Sequence, residues 1–418
     1  SLSGSTSFKA EIKTVLTTAS PNHWGIRTKI FFIVSSISNE TIHEERPRPV
    51  ISNSNDNLST FDVQNGHTLE VFYDVRMEST SSSLVDVNLI VMNNNSKLIV
   101  NRNLIASQNN GDDIFIESQS AGDSLIVRGD ILLDHTGGDN IEMETDNATA
   151  VIYVEGDVLV NMNSGAGDLM TFDLNAGTLQ VAGDMIASRS STFSDIHFDL
   201  DGGHVIVDSM SFTSSGGGGS DELRIEVDQS STFTVNNNFY MSMGGGDDHE
   251  IYINNNGGTD AVFTVNGNLI IDKTDGDDLK IYVDDVDSEF HVVGDMTINS
   301  MGAEEVVLNL DNGDFNVDGD FYWFDTKAGT DVIEADMDGG TMTIGDSLYI
   351  LANGNGAMDF FIDMDGSSTI NAGYFVAELT GQGGNEEILI DIDNSSVINV
   401  TNNMLCQINT GNDFELHL

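Results

Sequence analysis

The 418 residues include one cysteine, three prolines, two tryptophans and fifteen Lys or Arg. A lone thiol, Cys406, leaves no intramolecular disulfide framework to hold a fold together, and it is expected to be a small inward core residue. All three prolines (Pro21, Pro47, Pro49) lie in the first fifty residues, so nothing after them interrupts a strand ladder. Fifteen basic residues against 68 Asp and Glu give a formal net charge of -53. Nucleic acid is thereby excluded as a partner, since binding it requires clustered cations that displace counterions. An anionic membrane surface is disfavoured for the same reason. The longest strongly apolar run, Ile30-Phe31-Phe32-Ile33-Val34, is far too short to insert across a bilayer as a helix. No apolar stripe of helical period runs for any length.

What is present is a repeat. From about residue 85 onward a unit of about 27 residues recurs about a dozen times. The unit Ile388 to Asp413 shows its parts. Ile388-Leu389-Ile390-Asp391-Ile392-Asp393, Val397-Ile398-Asn399-Val400 and Met404-Leu405-Cys406-Gln407-Ile408 alternate apolar and polar residues, and turn formers separate them. Many units carry Val-x-Gly-Asp or Val-x-Gly-Asn at the second corner, for example Val154-Glu155-Gly156-Asp157. Three short strands and three corners use up the period and leave no room for a helix. The expected fold is therefore all-β, a three-stranded parallel β-helix with one unit per coil. A propeller blade needs a longer unit, and calcium-binding nonapeptide rolls a shorter one.

Residues 1–84 differ. They hold nine acidic and seven basic residues, a charge of about -2, which leaves about -51 for residues 85–418. Residues 1–84 are read as a β-rich N-terminal cap or docking region, with an irregular entry coil near Leu58 to Tyr73. Residues 85–418 are read as the acidic solenoid. An unprotected end coil exposes unpaired backbone groups, so a cap is expected at one end. At the other, Leu416 and Leu418 belong to the first strand of a further coil and are candidate subunit contacts.

The units resemble coils of right-handed parallel β-helix proteins, a superfamily that includes bacterial surface adhesins, phage fibres and polysaccharide lyases. The resemblance covers about 330 residues and is one of architecture.

Stacking brings equivalent residues of successive coils to about 4.8 Å. One outward ladder is expected to run Glu117, Glu144, Asp173, Asp199, Glu226, Asn254, Tyr282, Asn309, Asp336, Asp363, Asp391. A second, at the next corner, includes Asp146, Asp201, Asp228, Asn256, Asp284, Asp311, Asp338, Asp365 and Asp393. A third follows the Gly-Asp corner through Asp130, Asp157, Asp184, Asn238, Asn268, Asp295, Asp320 and Asp346. Neighbouring carboxylates at that spacing repel by roughly 0.9 kcal/mol even in water. Cations between rungs offset this, and oxygen-only ligands suit Ca²⁺. The candidate ligands are Asp173, Asp199, Asp201, Asp228, Asp277, Asp278, Asp311, Asp338, Asp363, Asp365, Asp391 and Asp393. The bland alternative is a solvated acidic face screened by salt.

The Gly-Asp corners lack the helix and lysine of a phosphate loop. A lyase needs a cationic base, and Arg224 and Lys280 are the isolated solenoid cations to consider; balancing local acidity is the plainer role for both. Unit length is nearly constant, which argues against the loop insertions that build a catalytic cleft. The function expected is a non-catalytic structural protein of the cell exterior, joined head to tail into a filament and possessing a cation-stabilised acidic solenoid. The alternatives are a monomeric adhesin stalk, with surface polysaccharide as a partner, and a carbohydrate-active β-helix enzyme of the polysaccharide lyase type.

Overall fold

A computed structural model describes residues 40–41, 50–53 and 59–418, apart from 65, 80–86, 92–94, 110–112, 164–167, 191–193, 216–220, 245–246, 275–277, 302–304, 327–330, 354–357, 381–386 and 409–412. Every strand pairing it contains is parallel and joins one coil to the next. Three ladders run the length of the rod. The first sheet stacks Ile114–Ser118 on the start of Ile141–Val154, then Asp168–Val181, Ser194–Asp201 and onward to Asp413–His417. The second carries Ser124–Val127, Gly203–Val207, Thr232–Val235 and their equivalents. The third carries Ile131–His135, Val158–Met162, Met185–Arg189 and so on to Met404–Ile408. The described residues thus form a parallel β-solenoid with coils of about 27 residues, as the repeat predicts.

Alternation decides which side chains go inside. In Leu269–Lys273 and Met296–Ser300, the first, third and fifth residues are buried and those between face out. Inward residues of all three sheets form one continuous core. Its second-sheet wall is a phenylalanine stack: Phe233–Phe263, Phe263–Phe290 and Phe290–Phe315 lie 5.2, 5.1 and 4.9 Å apart between centroids, with their rings close to parallel.

The corner between the first and second sheets needs a residue with positive φ. Asn95, Gly122, Gly202, Asp285, Asn312, Gly339, Gly366 and Asn394 supply it, residue types for which the left-handed region is accessible. Small buried residues fill this corner inside. Ser231 Oγ donates to Leu200 O and accepts the Gly202 N–H, and Ser368 repeats the pattern with Met337 O and Gly339.

Within residues 1–84, the strands Ser59–Val63, Thr68–Val71 and Val75–Ser79 pair in parallel with the coil that follows, so the expected entry coil stacks as part of the solenoid. Glu40–Thr41 and Val50–Asn53 pair onward in the same way. The rest of the N-terminal region lies outside the described residues. Cys406 is half-buried and packs against the core, its thiol pushed up by burial, while Met404 beside it is 45% exposed.

Candidate functional site

The three outer faces differ in chemistry. The first sheet carries the carboxylates. Glu117, Glu144, Asp173, Asp199 and Glu226 are successive register partners, and Asn309, Asp336, Asp363 and Asp391 continue the row beyond two tyrosines. Tyr282 stands where the expected ladder put it, and Tyr252 corrects that ladder by taking the place of Asn254: Glu226 pairs with Tyr252, and Tyr252 with Tyr282. Asn254 belongs one row over, between Asp228 and Asp284, and Asn256 lies in the corner, donating from Nδ2 to Asp228 Oδ2 at 2.8 Å. The cause is uneven corner length. Asn255 to Asp260 make a longer turn than Gln229 to Ser231, while the preceding connection is shorter, so His249 rather than Ile251 partners Leu223.

Burial and mutual repulsion raise the carboxyl pKa values on this face. Glu144 is pushed up to about 8, first by burial, then by Asp146, Glu117 and Glu142. Asp173 is raised to about 6 by burial with Asp199 and Asp146 beside it, against a hydrogen bond from Asn175. Asp228 is also raised to about 6, by burial and Glu226, with Asn256 opposing. Glu142, Asp284, Glu334, Asp336 and Asp363 move the same way, burial again the first cause. The arrangement holds extra protons, and it disfavours the bare anion.

Of the candidate ligands, Asp173 and Asp199 are adjacent rungs, as are Asp201 and Asp228, Asp338 and Asp365, and Asp363 and Asp391. Asp311 and Asp338 line a shallow depression of ≈ 340 Å³ with Tyr282, Asp284, Asn309 and Asp336. Asp393 follows Ile392 at the corner, where Asn394 Nδ2 donates to Asp365 Oδ1 at 3.0 Å. Asp278 is held by Lys280 Nζ at 2.8 Å, and Arg224 Nη2 sits 2.9 Å from Glu226 Oε2, so both cations balance local acidity. Asp277 lies outside the described residues. Among the described residues no three His, Cys, Asp or Glu side chains converge on a point suited to a metal ion.

The Gly-Asp corners have a structural purpose that recurrence alone does not reveal. Asp130 Oδ1 accepts the backbone N–H of Asp157 at 3.0 Å, Asp157 Oδ1 accepts that of Asp184 at 2.9 Å, and the chain resumes through Asn238, Asn268, Asp295 and Asp320. Each side chain satisfies a donor of the next coil. The glycine before it makes the room: a Cβ at Gly129, Gly156, Gly183, Gly294 or Gly319 would lie 2.2–2.3 Å from the Oδ1 beneath.

The second sheet's outer face is rich in Thr and β-branched residues, with Thr178, His204 and Thr232 on successive rungs. The third sheet's outer face carries two columns, a mostly polar one that includes Asp134, Asn161, Asp272, Asn299 and Glu378, and a largely apolar one. The apolar column runs Ile105, Leu132, Leu159, Ile186, Ser211, Tyr240, Ile270, Thr297, Tyr322, Tyr349, Val376, Leu405. The sequence carries a signal for it in strands that do not alternate at all, such as Ile131-Leu132-Leu133 and Phe321-Tyr322-Trp323-Phe324.

Neither a protein-family model, nor a curated protein, nor a solved structure matches this chain.

Proposed function

We propose that this chain is a non-catalytic structural rod of the cell exterior whose subunits join head to tail. One observation supports axial joining: every described strand pairing is parallel and joins one coil to the next, so the solenoid grows along its axis by adding strand edges. Val397–Val400, Met404–Ile408 and Asp413–His417 each pair with the preceding coil alone among the described residues. Around them Val397, Met404, Leu405, Leu416 and Leu418 are 44–90% exposed. A parallel edge flanked by apolar side chains accepts another strand, and the N-terminal region of a second copy, nearly neutral where the rod is strongly acidic, would meet it with little repulsion. Such a contact is heterologous and does not close on itself.

The acidic face fits a role outside the cell, where salt shortens the range of repulsion. Divalent cations, Ca²⁺ foremost, would bridge pairs of rungs such as Asp173 and Asp199, with water completing the shell. Negative-stain microscopy of the purified chain tests the reading. Axial fibres that vanish on deletion of residues 1–84 are expected, and isolated rods at high protein concentration would reject it.

A further inference from the structure

We infer that the outer face of the third sheet is a second, lateral interface, on which another copy of this chain lies antiparallel. Exposed apolar residues scattered singly need no explanation, but a file of them along one face does. Ile186, Tyr240 and Ile270 are 36–41% exposed and belong to one register column. Between Leu104 and Ile408 the described outward positions of this sheet hold only three carboxylates, and a neighbouring rung satisfies each. Asn161 Nδ2 donates to Asp134 at 3.1 Å, Tyr240 Oη and Asn299 Nδ2 donate to Asp272 at 3.0 and 2.6 Å, and Tyr349 Oη donates to Glu378 at 3.1 Å. On a chain of net charge -53, this face can meet its own kind with far less repulsion than the carboxylate-bearing first sheet.

Area and pattern select a second copy as the occupant. Twelve rungs at about 4.8 Å, crossed by five-residue strands, make a face of roughly 850 Å², close to what one partner contributes to a stable interface. The column is also complementary to its own reverse about the Tyr240–Ile270 step. Turned end for end, Tyr240 meets Ile270, Ser211 meets Thr297, Ile186 meets Tyr322 and Leu159 meets Tyr349, so small faces small and aliphatic faces aromatic. Such a contact is isologous and closes at two. It does not depend on axial joining, and it places both acidic first-sheet faces away from the seam.

Sedimentation velocity at low salt and at about 0.5 M NaCl tests this, because screening favours a dimer of two polyanions. We expect a discrete dimer that strengthens with salt. Ile186→Glu and Tyr322→Lys, both at outward positions, should each weaken it at least tenfold with unchanged far-UV circular dichroism. Combined in one chain they should restore it, since the introduced carboxylate of either copy then faces the introduced ammonium of the other. Open-ended oligomers without a dimer step, or a dimer indifferent to both substitutions, would overturn the lateral seam. A monomer under all conditions, including one that binds neutral glycan or lipid vesicles through this column, would overturn it too. Failure of the double variant to recover would overturn the antiparallel register.

Discussion

The Asp130 carboxylate occupies the space next to Gly156 that any other residue would fill: a Cβ there would lie 2.3 Å from Asp130 Oδ1. The same oxygen accepts the Asp157 N–H at 3.0 Å. Gly156→Ala should therefore displace a hydrogen-bonded side chain and destabilise the rod by about 1–3 kcal/mol. Asp157→Asn, which keeps the accepting oxygen for Asp184, should stay within about 0.5 kcal/mol of the parent. Asp157→Ala orphans that donor and should lose about 1–3 kcal/mol. Urea unfolding of the three variants checks the order.

Acidity should stabilise this protein across a defined window. Folded Glu144 takes its proton at about 8 rather than 4.5, and Asp173 and Asp228 at about 6 rather than 3.8. Between those limits the folded chain binds more protons than the unfolded one, so stability falls as pH rises. The melting temperature should be higher near pH 5 than near pH 8.5. Glu144→Gln should flatten the slope and stabilise the protein at the upper end by on the order of 1 kcal/mol, after allowance for solvent screening.

Cations offer the same relief by another route. If Ca²⁺ bridges rungs such as Asp363 and Asp391, the melting temperature should rise in millimolar calcium over chelator at matched ionic strength. Ligand at a hundred times its Kd adds about 2.7 kcal/mol per independent site. Equal melting temperatures would refute the bridging.

The phenylalanine stack gives the largest single-residue effect. Phe290 lies between Phe263 and Phe315, 5.1 and 4.9 Å away, and is fully buried. Phe290→Ala should remove both ring contacts and leave a cavity, destabilising by about 3–5 kcal/mol in the same urea assay.

Much of this architecture is legible in the residues alone. Period-2 strands on a 27-residue repeat allow few folds, and strands such as Glu387–Ile392 lie where alternation puts them. The first ladder departs from expectation at Tyr252 because equal spacing does not hold there: the corner Asn255 to Asp260 absorbs extra residues without disturbing the sheets. The Gly-Asp recurrence is visible, but its hydrogen bond joins residues of different coils, and a linear reading cannot show which oxygen meets which N–H. The apolar column of the third face is written openly in runs such as Leu269-Ile270-Ile271, yet a search for strict alternation passes over it.

The Asp-to-next-coil bonds and the three ladders all point along the rod. Pull on the two ends, and those bonds load in series rather than sharing the force. Every coil interface then carries the whole force, and the weakest-held coil should peel first, releasing about 27 residues, or roughly 90 Å of slack, at a time. A tether made of such coils would yield in even steps under strain, lengthening many-fold before its last coil lets go.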